Sequence, residues 1–520
     1  MSLPSLRSLF AAFLIAAPLL AQQPSAFDTR FHAIMHRPEF KHARFGVEVY
    51  SLDDGKVLYS WNPDELFVPG STTKILTIGT ALELLGPDFR FHTKIFKTGP
   101  VHNGTLHGDL VLVASGDPDL SNRIQPDGTL AFENEDHSYD GFAAAAAVPG
   151  DPLAVIKELA AKVASGGIKR VQGRVLVDIS LFPEGDRELG TGVVISPIVV
   201  NDNLVDVVVT PGAHEGGPAL LSISPLTSYV HIRNNVTTVA SAGKMDLQWK
   251  NDVAAPNGTH SVTLTGSIPL GVKPKLRTYQ VPVPSKFAEA VLTECLQAAG
   301  VTVEAAVSKH SPIPSQYTSE NLVAEHLSPP LTEEAKVTLK VSQNLHASMF
   351  PAIVGAYREK GTADPLQSGF DQERGMLEKA DLDLNAAVQS DGAGGAALFT
   401  PDFMVHFLLH LSKQPFGASF KKALPILGKD GTLFEIQVDS PAAGHVFAKT
   451  GTYASGNALT HGGVIDGKGL AGFIDTKEGR HLAFAAYINF VPLKNMGEKD
   501  TQMVGQAVGE IAAAAYDGFE

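Results

Sequence analysis

The two ends of this chain carry the same mixture of strand and helix patterns, while the stretch between them, from about 96 to 276, is rich in short strands. Near the start, FGVEVYSLDDGKVLYSW alternates in strand fashion around Asp53-Asp54-Gly55, a hairpin signal, and a helical pattern follows. Near the end, HVFAKTGT, GLAGFID and HLAFAAYINF read as strands, and a helix begins at about Thr501. Helical periodicity also covers 285–299, 333–358 and 401–412. The middle offers GDLVLVASGDPDL, GRVLVDISLF, DNLVDVVVTPG and HSVTLTGSIPLG, with one good helix around PLAVIKELAAKVASGG; the Ala-rich GFAAAAAVPGDP at 141–152 reads as a loop. A chain of 520 residues is too long for one core. The expected architecture is therefore α+β, with one domain in two segments, 27–95 and 277–520, interrupted by one or more β-rich inserted domains at 96–276.

Met1 to Ala21 has one positive charge, Arg7, then an apolar run from Leu9 to Leu20 and a small residue at its end. This is the layout of a secretory signal peptide, and the run is too short for a membrane span. A periplasmic or otherwise extracytoplasmic protein with no transmembrane anchor is expected. The formal charge is −14, or −15 without Arg7, and no basic tract interrupts it. Such a chain is a poor nucleic-acid binder. The lone cysteine, Cys295, falls on a helical stripe with Phe287, Val291, Leu292 and Leu296, which reads as a buried structural thiol.

The stretch PGSTTKILTIGTALELLG, 69–86, turns at Pro-Gly and enters a helix whose apolar face is Ile75, Leu76, Ile78, Ala81, Leu82 and Leu85. Ser71 or a neighbouring threonine can cap that helix. Ser71 and Lys74 also stand at i and i+3, on one face, where a lysine made neutral by its surroundings can take the serine's proton. Two further short patterns matter, S-x-N and K-T-G, which together with S-x-x-K form a serine acyltransferase set. Each recurs by chance. S-x-x-K also occurs at Ser241-Lys244 and Ser419-Lys422, S-x-N at Ser319-Asn321, Ser342-Asn344 and Ser455-Asn457, and K-T-G at Lys97-Gly99 and Lys449-Gly451. Ser241 has glycine inside its turn and no helix to hold the pair, and Ser419 lacks the turn-to-helix entrance. The first K-T-G runs into Pro100, which has no N–H, whereas the second runs into Thr452, whose N–H can meet a developing oxyanion.

The ordered triplet Ser71-Lys74, Ser342-Gln343-Asn344 and Lys449-Thr450-Gly451 resembles that of the penicillin-binding D-alanyl-D-alanine carboxypeptidases, class C of low molecular mass (serine peptidase family S13). GDLVLVASGDPDLS, EHLSPPL, VSQNLHA, SDGAGG, LGKDGTL and AKTGT all look like landmarks of that family, spread over most of the chain. The resemblance implies a penicillin-binding, β-lactamase-like domain, an antiparallel sheet flanked by helices, with the insertion between the first and second motifs. It implies that Ser71 attacks the carbonyl between two D-alanines to form an acyl-enzyme, with Lys74 as base. Ser342 would relay a proton to the leaving amine, with Lys449 sustaining the electrostatics and drawing in the terminal carboxylate. Asn344 would hold the substrate backbone, and Thr450, Gly451 and Thr452 would line the carboxylate and oxyanion side. The partners so implied are peptidoglycan stem peptides and, as covalent inhibitors, β-lactams; no cofactor and no metal are expected.

Three departures stand out. Gln343 occupies a position commonly aspartate, DGAGGAA replaces DGSGLSR so that a serine is lost at Ala393 and an arginine at Ala397, and YASGNALTHGG after the third motif is atypical. These bear on specificity for the stem. The other signals are weak. GAGGAA fits the loose dinucleotide pattern but has no acidic partner at the right distance, His214-Glu215 lacks a second histidine, and no G-x-S-x-G elbow occurs. DLDLN at 381–385 faintly resembles the deacylation loop of class A β-lactamases. The rival readings are a β-lactamase or esterase on the same fold and an inactive wall-binding homologue.

Overall fold

The computed structural model describes residues 25–304, 317–495 and 497–519. Met1–Ala21, read above as a signal peptide, lies outside the described residues. Among those described, no helix is long and apolar enough to cross a membrane.

The central element is a five-stranded antiparallel sheet in the order Val446–Asn457, Gly462–Asp475, His481–Leu493, Arg44–Ser51, Lys56–Trp61. Its strands come from both ends of the chain, so neither end completes a sheet alone. Period-two alternation assigns its faces. Along His481–Leu493, Ala483, Ala485 and Tyr487 enter one core while Leu482, Phe484, Ala486 and Ile488 enter another. The first core holds the helices Thr73–Leu85, Leu331–Lys340, Asn344–Arg358 and Pro401–Ser412. The second is closed by the helices Ala26–Met35 and Glu498–Asp517.

The region between the motifs forms two further cores. One combines the strands Leu322–Leu327, His92–Lys97, Leu110–Val113 and Val175–Asp178 with the helices Ala154–Ser165 and Pro284–Ala298, and it buries Cys295. The other packs two three-stranded sheets built from residues 204–280. The first differs from the expected boundaries, 96 and 276. Leu327 pairs with His92 and Leu322 with Phe96, so the departing and returning segments zip together as neighbouring antiparallel strands. The Pro284–Ala298 helix, assigned above to the outer domain, sends Phe287, Val291 and Leu292 into the inserted core. A second difference concerns the helix expected over 333–358. It is two helices, broken at 341–343, where Ser342 takes a left-handed φ of 61° that no helix interior accommodates.

Candidate active site

The Pro-Gly turn enters its helix through a single 3₁₀ turn, Gly70–Thr72. No side chain caps it in the expected manner. The Thr72 and Thr73 hydroxyls donate instead to the carbonyls of Pro69 and Gly70, at 3.0 and 2.8 Å. Ser71 is thereby left free of a capping duty, and its Oγ accepts from Lys74 Nζ at 2.8 Å.

Lys74 is fully buried. Its Nζ also donates to Asn344 Oδ1 at 2.6 Å, and lies 3.3 Å from both Ser342 Oγ and the Ala393 carbonyl. An ammonium has three protons, so these four acceptors share them. Burial pushes the Lys74 pKa down to about 7, against the pull of the Glu188 and Asp391 carboxylates. Ser342 stands between two lysines, because Lys449 Nζ donates to Ser342 Oγ at 2.9 Å and to the Thr450 carbonyl at 2.8 Å. Lys449 is also fully buried, and burial, with the Lys74 and Lys468 charges nearby, holds it well below the usual lysine range.

Backbone contact fixes the turn against the Val446–Asn457 strand. A Cβ at Gly451 would lie 1.9 Å from the Pro69 carbonyl, and one at Gly70, where φ is 51°, 2.6 Å from the Thr452 nitrogen. Glycine is required at both positions. The Thr452 nitrogen thus lies against the turn that carries Ser71. Thr450 Oγ1 meets Thr432 Oγ1 at 2.7 Å.

All eight residues singled out from the sequence, Ser71, Lys74, Ser342, Asn344, Lys449, Thr450, Gly451 and Thr452, therefore surround one place. Ser71, Ser342, Asn344, Thr450 and Thr452 line a cleft of about 1130 Å³, whose far wall comes from the inserted body through Tyr139, Arg187, Arg277 and Thr278. The alternative motif copies, at Ser241, Ser419 and Lys97, do not line it, nor does the Asp381–Asn385 segment.

Several contributors carried no motif. Tyr139 Oη donates to the Ser342 carbonyl at 2.5 Å, tying the inserted body to the strained residue. Gly190 presses on Asn344, where a Cβ would come within 1.9 Å of its amide nitrogen. Glu188 folds that loop by accepting from the amides of Gly190 and Gly192, both at 2.6 Å. Asp391 does the same for SDGAGG, accepting from the amides of Ala393, Gly394, Gly395 and Ala396 and so turning the Ala393 carbonyl to Lys74. Those amides are spent within the loop and cannot cradle a phosphate. An aspartate before a glycine-rich run is a recognisable turn former, so Asp391 had a local signal; Glu188 had none. The departure at Gln343 has a physical reason as well. Its amide donates to Asp136 Oδ1 at 3.1 Å, where an aspartate would oppose a carboxylate. Ala397 is buried beneath the loop and does not line the cleft.

Carboxylates and imidazoles cluster at Asp119–Glu334–His346 and Asp136–His137–Asp202, both buried, and at Glu48–Asp402–His406. In the first two, each imidazole has both nitrogens against carboxylates, which raises its pKa and leaves no lone pair for a metal.

The sequence pattern of the D-Ala-D-Ala carboxypeptidase 3 (S13) family matches residues 28–512. A D-alanyl-D-alanine carboxypeptidase from Actinomadura sp. is 28% identical over 473 residues, 86% of this chain and 80% of its own length. The D-alanyl-D-alanine carboxypeptidase DacB of Haemophilus influenzae is 24% identical over 458 residues, 85% of each chain. The crystal structure of penicillin binding protein 4 (dacB) from Haemophilus influenzae superposes with a TM-score of 0.71 at 21% identity, covering 94% of this chain and 98% of that one. A second structure of that protein, in complex with a β-lactam, gives 0.69. With nearly its whole length matched, the chain belongs to the D-Ala-D-Ala carboxypeptidase 3 (S13) family.

Proposed function

We propose that this D-Ala-D-Ala carboxypeptidase works through an acyl-enzyme on Ser71, with Lys74 as the base that activates it. The observation that carries the assignment is the 2.8 Å contact between Ser71 Oγ and a fully buried Lys74 Nζ. A lysine with a pKa of about 7 is neutral in a large share of molecules at neutral pH, and its lone pair can accept the serine proton. Serine then attacks the carbonyl between the two D-alanines, and the Ser71 and Thr452 amides receive the negative charge that develops on its oxygen. Ser342, bonded to Lys449 and within reach of Lys74, passes a proton to the leaving amine. Water hydrolyses the acyl-enzyme and regenerates Ser71. Asn344 orients Lys74 and holds the substrate backbone. Thr450 and Thr452 line the leaving-group side.

The substrates we assign are peptidoglycan stem peptides, including cross-linked ones. In support, the cleft of about 1130 Å³ slightly exceeds the usual range for small-molecule sites, about 300–1,000 Å³, and leaves room beyond a dipeptide end. The Met1–Ala21 segment fits export to the compartment where that polymer lies. β-Lactams, which carry an activated amide beside a carboxylate, should acylate Ser71 as covalent inhibitors. Incubation with penicillin followed by intact-mass measurement tests the assignment. The native protein should gain one penicilloyl unit, and Ser71→Ala should gain none while remaining folded. An adduct on Ser71→Ala would place the nucleophile elsewhere.

A further inference from the structure

The cleft extends past the Val446–Asn457 strand into a side lobe between Thr432–Ile436 and the first turns of the Glu498–Asp517 helix. Lys468 lines this lobe. It pairs across the ladder with Thr452, and its Nζ donates to Thr452 Oγ1 at 2.7 Å. That contact uses one of three ammonium protons. The side chain is half-buried, and among the described residues no carboxylate lies within ion-pair distance of it. Among the described residues the acidic residue lining the lobe, Glu435, is exposed and accepts from Gln502 Nε2 at 3.1 Å. Burial brings the Lys468 pKa to about 8, so the charge is mostly retained at neutral pH.

Lys449 differs in each respect. It is fully buried, two of its protons go to Ser342 Oγ and the Thr450 carbonyl, and burial and two neighbouring ammoniums disfavour its charge. Lys468 is therefore the lysine with both donors and charge to offer an anion at this edge. Thr452 joins the two regions, since its nitrogen lies against Gly70 of the Ser71 turn and its hydroxyl accepts from Lys468.

We propose that Lys468 is a specificity-determining residue that anchors the carboxylate of the leaving D-amino acid by a charge-assisted hydrogen bond beside Thr452. The duty of drawing in that carboxylate, expected above of Lys449, then falls mainly to Lys468. This rests on the reading of the site as a D-Ala-D-Ala peptidase, because only a substrate with an anionic end would use it.

The test is the second-order rate of Ser71 acylation by a fluorescent penicillin, which bears one carboxylate, in the full-length mature chain. Lys468→Arg should stay within about threefold of native, Lys468→Met should fall about tenfold or more, and Lys468→Glu should fall further. The spread between Arg and Glu should narrow in 1 M salt, where exposed charges are screened to about 3 Å. A rate order that does not follow side-chain charge, including an equal loss in all three variants, would overturn the proposal and leave Lys468 as mere support for Thr452. Failure of the native protein to be labelled at all would instead overturn the catalytic reading.

Discussion

Burial does at Lys74 what a sequence pattern cannot display. In water a lysine at its ordinary value of 10.5 would almost never be neutral at pH 7, whereas here that value drops to about 7. The sign of the pH dependence follows. On the proposed mechanism, raising pH deprotonates Lys74 and creates the base, so the acylation rate should climb with pH and level off above about 7. Between pH 5 and pH 8 the rise should be about a hundredfold, one decade per pH unit below the pKa, measured as the second-order rate of penicillin acylation. A profile flat over that interval would argue against a lysine base. Lys74→Arg keeps a permanent charge and cannot act as base, so its acylation rate should fall by about 10²–10⁴-fold across the whole range.

At the level of elements, the site depends on how closely the Gly70–Thr72 turn approaches the Val446–Asn457 strand. Gly451→Ala would drive a methyl to within 1.9 Å of the Pro69 carbonyl, a backbone atom that cannot swing aside. The turn and strand must part, and the Ser71 and Thr452 amides lose their spacing. Acylation should fall by about 10²–10³-fold, the usual loss for a spoiled oxyanion donor, and stability by about 1–3 kcal/mol. Gly456→Ala is the control on the same strand. It is exposed with nothing within 4 Å of the added methyl, and both readouts should stay near native. The break between the helices Leu331–Lys340 and Asn344–Arg358 serves the same site, because it leaves Ser342 and Asn344 at a helix entrance facing Lys74.

Across the whole molecule, the inserted body is held to the S-x-N segment by a buried charge network. Arg123 Nη2 donates to Asp136 Oδ2 at 2.5 Å and to Asp202 Oδ2 at 2.7 Å. Asp136 in turn accepts from Gln343, and Asp202 accepts from His346, one turn into the same helix. Arg123→Met would leave two buried carboxylates short of their cation, at a cost of about 3–5 kcal/mol, seen as a lower urea or thermal midpoint. The exposed pair Arg170–Glu304 gives the contrast, since Arg170→Met should cost less than about 1 kcal/mol. The neighbouring carboxylates raise His137 and His346 well above the ordinary 6.5. Their stabilisation is complete below that value and is lost as pH rises through the raised ones. Asp202, held well below its ordinary range chiefly by Arg123 and His346, against the cost of burial, contributes in the opposite sense, with stability lost as pH falls through its lowered value.

Local spacing along the chain encodes part of this fold. The hairpin at Phe45–Trp61, the turn-to-helix entrance at Pro69–Thr73 and the alternation of the last three strands follow from side-chain period and from Gly and Pro chemistry. Ser71 and Lys449 stand out from the other copies of their motifs on local grounds, a helix face and a missing proline amide, whereas Ser342 is singled out only by its order in the triplet and the resemblance that order carries. Tertiary structure decided the rest. The end of the insertion lies beyond 276 because Leu322–Leu327 finds its partner at His92–Lys97, a pairing with no trace in either segment alone. Ser342 breaks a continuous helical pattern because its neighbours Gln343, Asn344 and His346 are claimed by Asp136, Lys74 and Asp202, all distant in the chain. Lys468 reaches the cleft without any motif, carried there by a cross-strand pair, and Glu188, likewise without one, folds the loop that sets Gly190 against Asn344. The acidity of the lysines likewise arises from the water that folding removes around them, and desolvation is a property of the assembled interior rather than of residue order.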